Sequence, residues 1–161
     1  MSDDLKQEIL KYLKDHNTAA LATTSGGRPW AASVFYVNDG FTLYFLSDPA
    51  SRHSSSIEEN QMVAAAINED YHDWREIQGI QVEGHAKRVT GKIERAKALA
   101  LYVAKFPFVG KMLLSPHLFA SSIARAVTKV KFYKVVPSRI RFINNRKEFG
   151  YKEEMELPSE E

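Results

Sequence analysis

The stretch Ser47-Asp48-Pro49-Ala50-Ser51-Arg52-His53 gathers side chains suited to holding an anion. The apolar pair Phe45-Leu46 precedes it, so the segment reads as a strand end passing into a helix start. Free N–H groups and the positive end of the helix dipole make such a junction receptive to phosphate. Ser47 and Ser51 bring hydroxyl donors, Arg52 a guanidinium fork that matches phosphate, and His53 a third donor. The same residues also read as an ordinary capped surface helix with a solvated Arg and His. Asp48 suits an anion site only if its carboxylate is consumed in capping.

A second candidate is the strand Trp30-Ala31-Ala32-Ser33-Val34-Phe35-Tyr36. Trp30, Ala32, Val34 and Tyr36 lie on one face, and Ala31, Ser33, Phe35 and Val37 on the other. Small residues between large aromatics leave room for a flat ring against the backbone; plain barrel core is the alternative. A third is Gln81, in the strand Ile77-Gln78-Gly79-Ile80-Gln81-Val82-Glu83-Gly84, whose amide can both donate to and accept from a heteroaromatic edge. It reads equally as an exposed strand glutamine. Trp74, in a charged loop, covers a pocket or packs at a subunit contact. The five histidines show no metal-ligand spacing, and no dinucleotide-binding, P-loop or hydrolase-elbow motif is present. With no Cys, a thiol nucleophile, a disulfide framework and a Cys-ligated metal are excluded.

The elements that must position these residues follow from pattern. Residues 5–16 form an amphipathic helix, and Thr18–Thr24 an Ala/Thr-rich strand. Trp30–Val37 and Phe41–Ser47 make a hairpin about Asn38-Asp39-Gly40. A helix runs from Asp48, its N-cap, with Pro49 first inside, to about Asn60. Met62–Ile67 and Ile77–Val89 are strands joined by a polar loop at 68–76. In the second, Gly79 and Gly84 mark a bulge, a bend or a close approach. A helix spans Thr90-Gly91 to about Phe106. Residues 107–127 are less regularly helical, broken by Pro107, Gly110 and Pro116. Lys129–Val136 and Ser138–Ile143 are strands separated by Pro137, which implies a bulge or an edge. Residues 145–161 read as a mobile tail beyond a single domain over 1–144. Short hairpin links favour an antiparallel sheet of about six strands, closed into a small barrel with flanking helices.

The chain has 161 residues and a net charge of only +2. The charge is split: residues 1–94 carry −5, Arg95–Lys147 carry +12 with no acidic residue, and 148–161 carry −5. So long an acid-free run suggests an anionic ligand, nucleic acid or an acidic partner surface, or else charge complementarity within the fold or dimer. No RNP-like or helix-turn-helix signature accompanies it, so nucleic acid is not expected. No apolar run is long enough to cross a membrane, and the acidic start argues against a signal peptide, so a cytoplasmic protein is expected.

Taken in order, these pieces resemble the FMN-binding split barrel of the pyridoxamine 5'-phosphate oxidase-like superfamily. The likeness covers residues 5 to about 143. Within it the chain is similar to a small bacterial branch, through Gly79-Ile80-Gln81, Phe106-Pro107, Ile143-Asn144-Asn145 and Phe149-Gly150-Tyr151-Lys152. The resemblance implies a mainly β, α+β fold, a six-stranded antiparallel split β-barrel of the FMN-binding type. It implies a homodimer with two flavin sites at the interface. The FMN phosphate would meet Ser47, Ser51, Arg52 and His53, and the ring would lie against the backbone of Ser33, Val34, Phe35 and Tyr36, with Gln81 near its polar edge. The expected activity is that of an FMN-dependent oxidoreductase acting on a small molecule with an electron donor. The alternative is a flavin- or haem-binding module without turnover. His53 stands where oxidases of the vitamin pathway often carry Lys, and their C-terminal Trp and Arg pattern is absent.

Overall fold

The computed structural model describes residues 3–158. Helix α1 (Asp3–Asp15) leads into β1 (Thr18–Ser25), β2 (Arg28–Asp39) and β3 (Thr42–Ser47). Then come α2 (Arg52–Glu59), β4 (Met62–Asn68), β5 (Gln78–Arg88), α3 (Lys92–Lys105), α4 (Pro107–Leu114), α5 (Ser121–Lys129), β6 (Lys131–Asn144) and β7 (Lys152–Glu156). The strands run antiparallel in the order β3-β2-β1-β4-β5-β6, and β6 returns to pair with β3. That return closes the six-stranded barrel expected from the strand pattern.

Alternation along the strands fills the interior. Leu21, Tyr36, Phe45, Ile80, Tyr133 and Ile140 are fully buried there. Leu5, Ile9, Tyr12 and Leu13 of α1 and Ile57 of α2 join the same core. The two helices sit toward opposite ends of β2: Tyr36 Oη donates to Leu13 O of α1 at 2.7 Å, whereas Ser25, paired with Arg28, donates to Glu59 of α2. A second apolar cluster lies outside the barrel, where Ala98 and Tyr102 of α3 cover Val37, Tyr44 and Phe132 of β2, β3 and β6. Thus α3 and α4 shield that side, and the outer side of β1 and β4 stays bare, presenting Ala20, Ala22 and Ala64.

Four local expectations change. The hairpin turn is the two-residue loop Gly40-Phe41, because Asn38 and Asp39 still pair with Leu43 and Thr42. Gly40 alone takes the positive φ, +57°. The helix expected from Asp48 begins at Arg52, for the reason given below. Pro137 does not divide two strands: β6 is continuous and absorbs the proline in a bulge, where Glu83 faces Arg139 and Gly84 faces Pro137. Finally, the segment expected to be a mobile tail contains β7, which pairs with β6 and buries Met155.

Candidate functional site

The junction of β3 and α2 gathers the predicted anion-binding residues. Ser47 ends β3 and is nearly buried. Asp48 does not cap the helix: its carboxylate accepts from Ala50 N–H at 2.8 Å, and Ser51 N–H donates to Asp48 O at 2.9 Å. This tight turn satisfies Asp48 locally and moves the cap to Ser51, whose Oγ accepts from Ser54 N–H. The shift brings Arg52 and His53 into the first turn of α2, close to its free N–H groups.

The side chains converge. Ser47 Oγ lies 2.7 Å from His53 Nε2 and 3.0 Å from Ser51 Oγ. Ser54 Oγ donates to Ser47 Oγ at 3.0 Å. Ser54, fully buried, is marked in the sequence only as a small hydroxyl three residues after the N-cap Ser51. The Arg52 guanidinium sits 4.1 Å from the centre of the Trp30 ring. It has no carboxylate partner among the described residues. The pairing of Trp30 with Arg52 is not legible in the sequence, because it joins two segments far apart along the chain.

Burial holds the His53 imidazole below its ordinary value. With the folded value lowered, the unfolded chain takes up the proton first, so stability is full above about pH 6.5 and is lost as pH falls through the folded value. Wild type should therefore lose more stability than His53→Gln between about pH 7 and about pH 5, in denaturant titrations at each pH. Identical pH profiles for the two proteins would show that the ring does not titrate with folding.

The second candidate lies beside the first. On β2, Val34 and Tyr36 point into the core, whereas Ser33 and Phe35 are exposed outside. The pairing of β3 with β2 covers only Tyr36–Asp39, and the end of β3 pairs instead with β6. Residues 30–34 of β2 therefore have no strand on that side, and this free backbone edge adjoins Ser47 and α2. Here the barrel is split.

Gln81 is not brought to this junction. It shares an outward-facing row across the sheet, Ser33–Ala20–Ala66–Gln81–Arg141–Glu154. Two strands separate it from Ser33, about 14 Å at the usual strand spacing. It borders instead a cavity of about 370 Å³ with Asn68, Tyr71, Ile77 and Gln78. Beyond Gln81, Arg141 is held by Glu154 of β7, with Nε 2.6 Å from Oε1. Trp74 stands over the C-terminal loop, edge to face with Phe149 at 4.4 Å between ring centres. Among the described residues no cluster of three potential metal ligands occurs.

The donor set matches a phosphate group: three hydroxyls, an imidazole and an unpaired guanidinium at a helix start, with the nearby carboxylate already satisfied. The free edge of β2 beside it matches a flat heterocycle that hydrogen-bonds to backbone. These residues fit FMN.

Comparison with known proteins shows the fold family. Residues 5–144 match the family model described as pyridoxamine 5'-phosphate oxidase. A UPF0306 protein of Klebsiella pneumoniae (strain 342) is 29% identical over 146 residues, covering 89% of this chain and 88% of its own. A UPF0306 protein of Photorhabdus laumondii is 31% identical over 103 residues, covering 63% and 71%. A Listeria innocua structure named after pyridoxamine 5'-phosphate oxidase superposes with a TM-score of 0.65 at 21% identity, over 87% of this chain and 98% of its own. HutZ, the heme storage protein of Vibrio cholerae, superposes with a TM-score of 0.65 at 18% identity, over 83% and 89%. The chain therefore belongs to the pyridoxamine 5'-phosphate oxidase family of split barrels, in the branch that holds the UPF0306 proteins.

Proposed function

We propose that this protein binds FMN and serves as a flavin-dependent oxidoreductase for a small molecule. The observation that carries the reading is the adjacency of the Ser47–Ser51–Arg52–His53 cradle to the unpaired edge of β2. The phosphate would be held by Ser47, Ser51, Arg52 and His53. The ring would rest against the backbone of Ser33, Val34, Phe35 and Tyr36, on the side where Ser33 and Phe35 project. When bound, FMN supplies the redox chemistry, and the chain supplies binding, orientation and the local field.

Gln81 enters this site from a second copy. The bare outer side of β1 and β4, flattened by Ala20, Ala22 and Ala64, is suited to burial in a homodimer. A two-fold axis across it would carry Gln81 of the partner subunit toward β2 of the first. The acid-free segment 95–147 approaches the cradle where Lys131 of β6 pairs with Ser47, and its positive charge there favours an anionic ligand.

The test is a titration of the purified protein with FMN, followed by the visible band and the quenching of flavin fluorescence. Saturable binding at one FMN per subunit is expected. A protein that leaves FMN free in solution overturns the reading, and a Soret band formed on adding haem to that same protein would replace it with the carrier alternative.

A further inference from the structure

Resting on the FMN reading above, we infer that Trp30 is a positioning residue: its indole face holds the Arg52 guanidinium in place for the phosphate end of the ligand. Trp30 is 41% exposed, and the Arg52 guanidinium lies over its ring at 4.1 Å. A contact with the ring face consumes none of the guanidinium N–H groups, so they stay available for a bidentate contact. None of those N–H groups meets an acceptor among the described residues. Lys105 shows what a purely structural cation on a ring looks like here. Its Nζ lies 4.3 Å from the Tyr36 ring centre, but it donates to His16 O and Leu13 O at the end of α1. Its donors are spent inside the fold, whereas those of Arg52 are not.

The arrangement has a physical purpose. An exposed arginine on the first turn of a helix samples many rotamers, and a ligand must immobilise it on binding. With Trp30 beneath it, much of that ordering is complete before the ligand arrives. Trp30 also joins the two halves of the site: it lies at the start of the unpaired edge of β2, and Arg52 belongs to the cradle.

The experiment is equilibrium binding of FMN and of riboflavin, which lacks the phosphate, to wild type, Trp30→Phe, Trp30→Leu, Arg52→Ala and the Trp30→Leu/Arg52→Ala double variant. Trp30→Leu is expected to weaken FMN binding about two- to fivefold, the range of an exposed cation–π contact. Trp30→Phe, which keeps an aromatic face, should retain most of the affinity. Riboflavin binding should be unchanged by either substitution, and Trp30→Leu should have no further effect once Arg52 is alanine. Circular dichroism and a denaturation midpoint confirm that each variant folds, with Trp30→Phe as the conservative check. Equal weakening of FMN and riboflavin, or full additivity in the double variant, overturns the positioning role and leaves the FMN reading standing. Wild type that binds neither flavin removes both.

Discussion

Arg52→Ala should lower affinity for FMN about ten- to a hundredfold while leaving thermal stability close to that of wild type. A charge-assisted hydrogen bond is worth roughly 1.5–3 kcal/mol, and each ~1.4 kcal/mol is about tenfold in affinity. The guanidinium is exposed and makes no ion pair among the described residues, so the fold loses little with it. The remaining donors cannot substitute for it. Ser47, Ser51 and Ser54 are neutral, and His53 is held toward its neutral form by burial. Arg52 is therefore the permanent positive charge within the cradle. Arg52→Lys should recover only part of the loss, because an ammonium neither stacks on Trp30 as a plane nor presents a fork. The loss should be larger for FMN than for riboflavin, and titration of both flavins checks it. Unchanged FMN affinity in Arg52→Ala would move the phosphate away from this helix.

Gly84→Ala should be the most damaging small change to the fold. A Cβ at this position would lie 2.2 Å from Val136 O and 2.9 Å from Pro137 Cα. Both are backbone atoms of the bulge in β6, so no side chain can turn aside to make room. The added methyl must push the bulge away from β5, at a cost of about 3 kcal/mol. For a domain of this size that lowers Tm by about 6–12 °C. Gly79→Ala, on the same strand, is the control: its Cβ would meet Ile67 O at 3.2 Å, a much smaller overlap. Thermal unfolding of the two variants beside wild type settles the comparison. Equal Tm values for both would mean that the bulge yields freely.

The bulge shows how far pattern alone carries. Glycine in a strand reads as a bulge, a bend or a close approach, and Pro137 between two apolar runs as a bulge or an edge, with nothing to link the two. Only the register, with Gly84 opposite Pro137, reveals that one residue exists to admit the other. The same holds for the turn after β2. Gly40 was legible as the residue with positive φ, because no side chain is tolerated there as easily. That Asn38 and Asp39 remain in the ladder depends on their partners Leu43 and Thr42. At residues 152–156 the sequence is rich in charge and reads as tail. Glu154 and Glu156 face outward to Arg141 and Arg139, while Met155 turns into the core. Five residues with one apolar side chain are too short a pattern to declare a strand.

By itself the sequence determined the order of helices and strands as far as the last barrel strand, apart from the break it placed at Pro137, together with the closed antiparallel barrel and the local grouping of Ser47, Ser51, Arg52 and His53. These follow from side-chain period, turn chemistry and residues close along the chain, which act over a few peptide units. The tertiary structure alone decided that Ser51 rather than Asp48 caps α2, that Ser54 completes the hydroxyl cluster, and that the Arg52 guanidinium rests on Trp30. It also decided that β3 leaves β2 after Tyr36, opening a free edge beside the cradle, and that Gln81 lies two strands away on the bare face. Each of these depends on register and on contacts between residues distant in sequence, set only when the barrel closes.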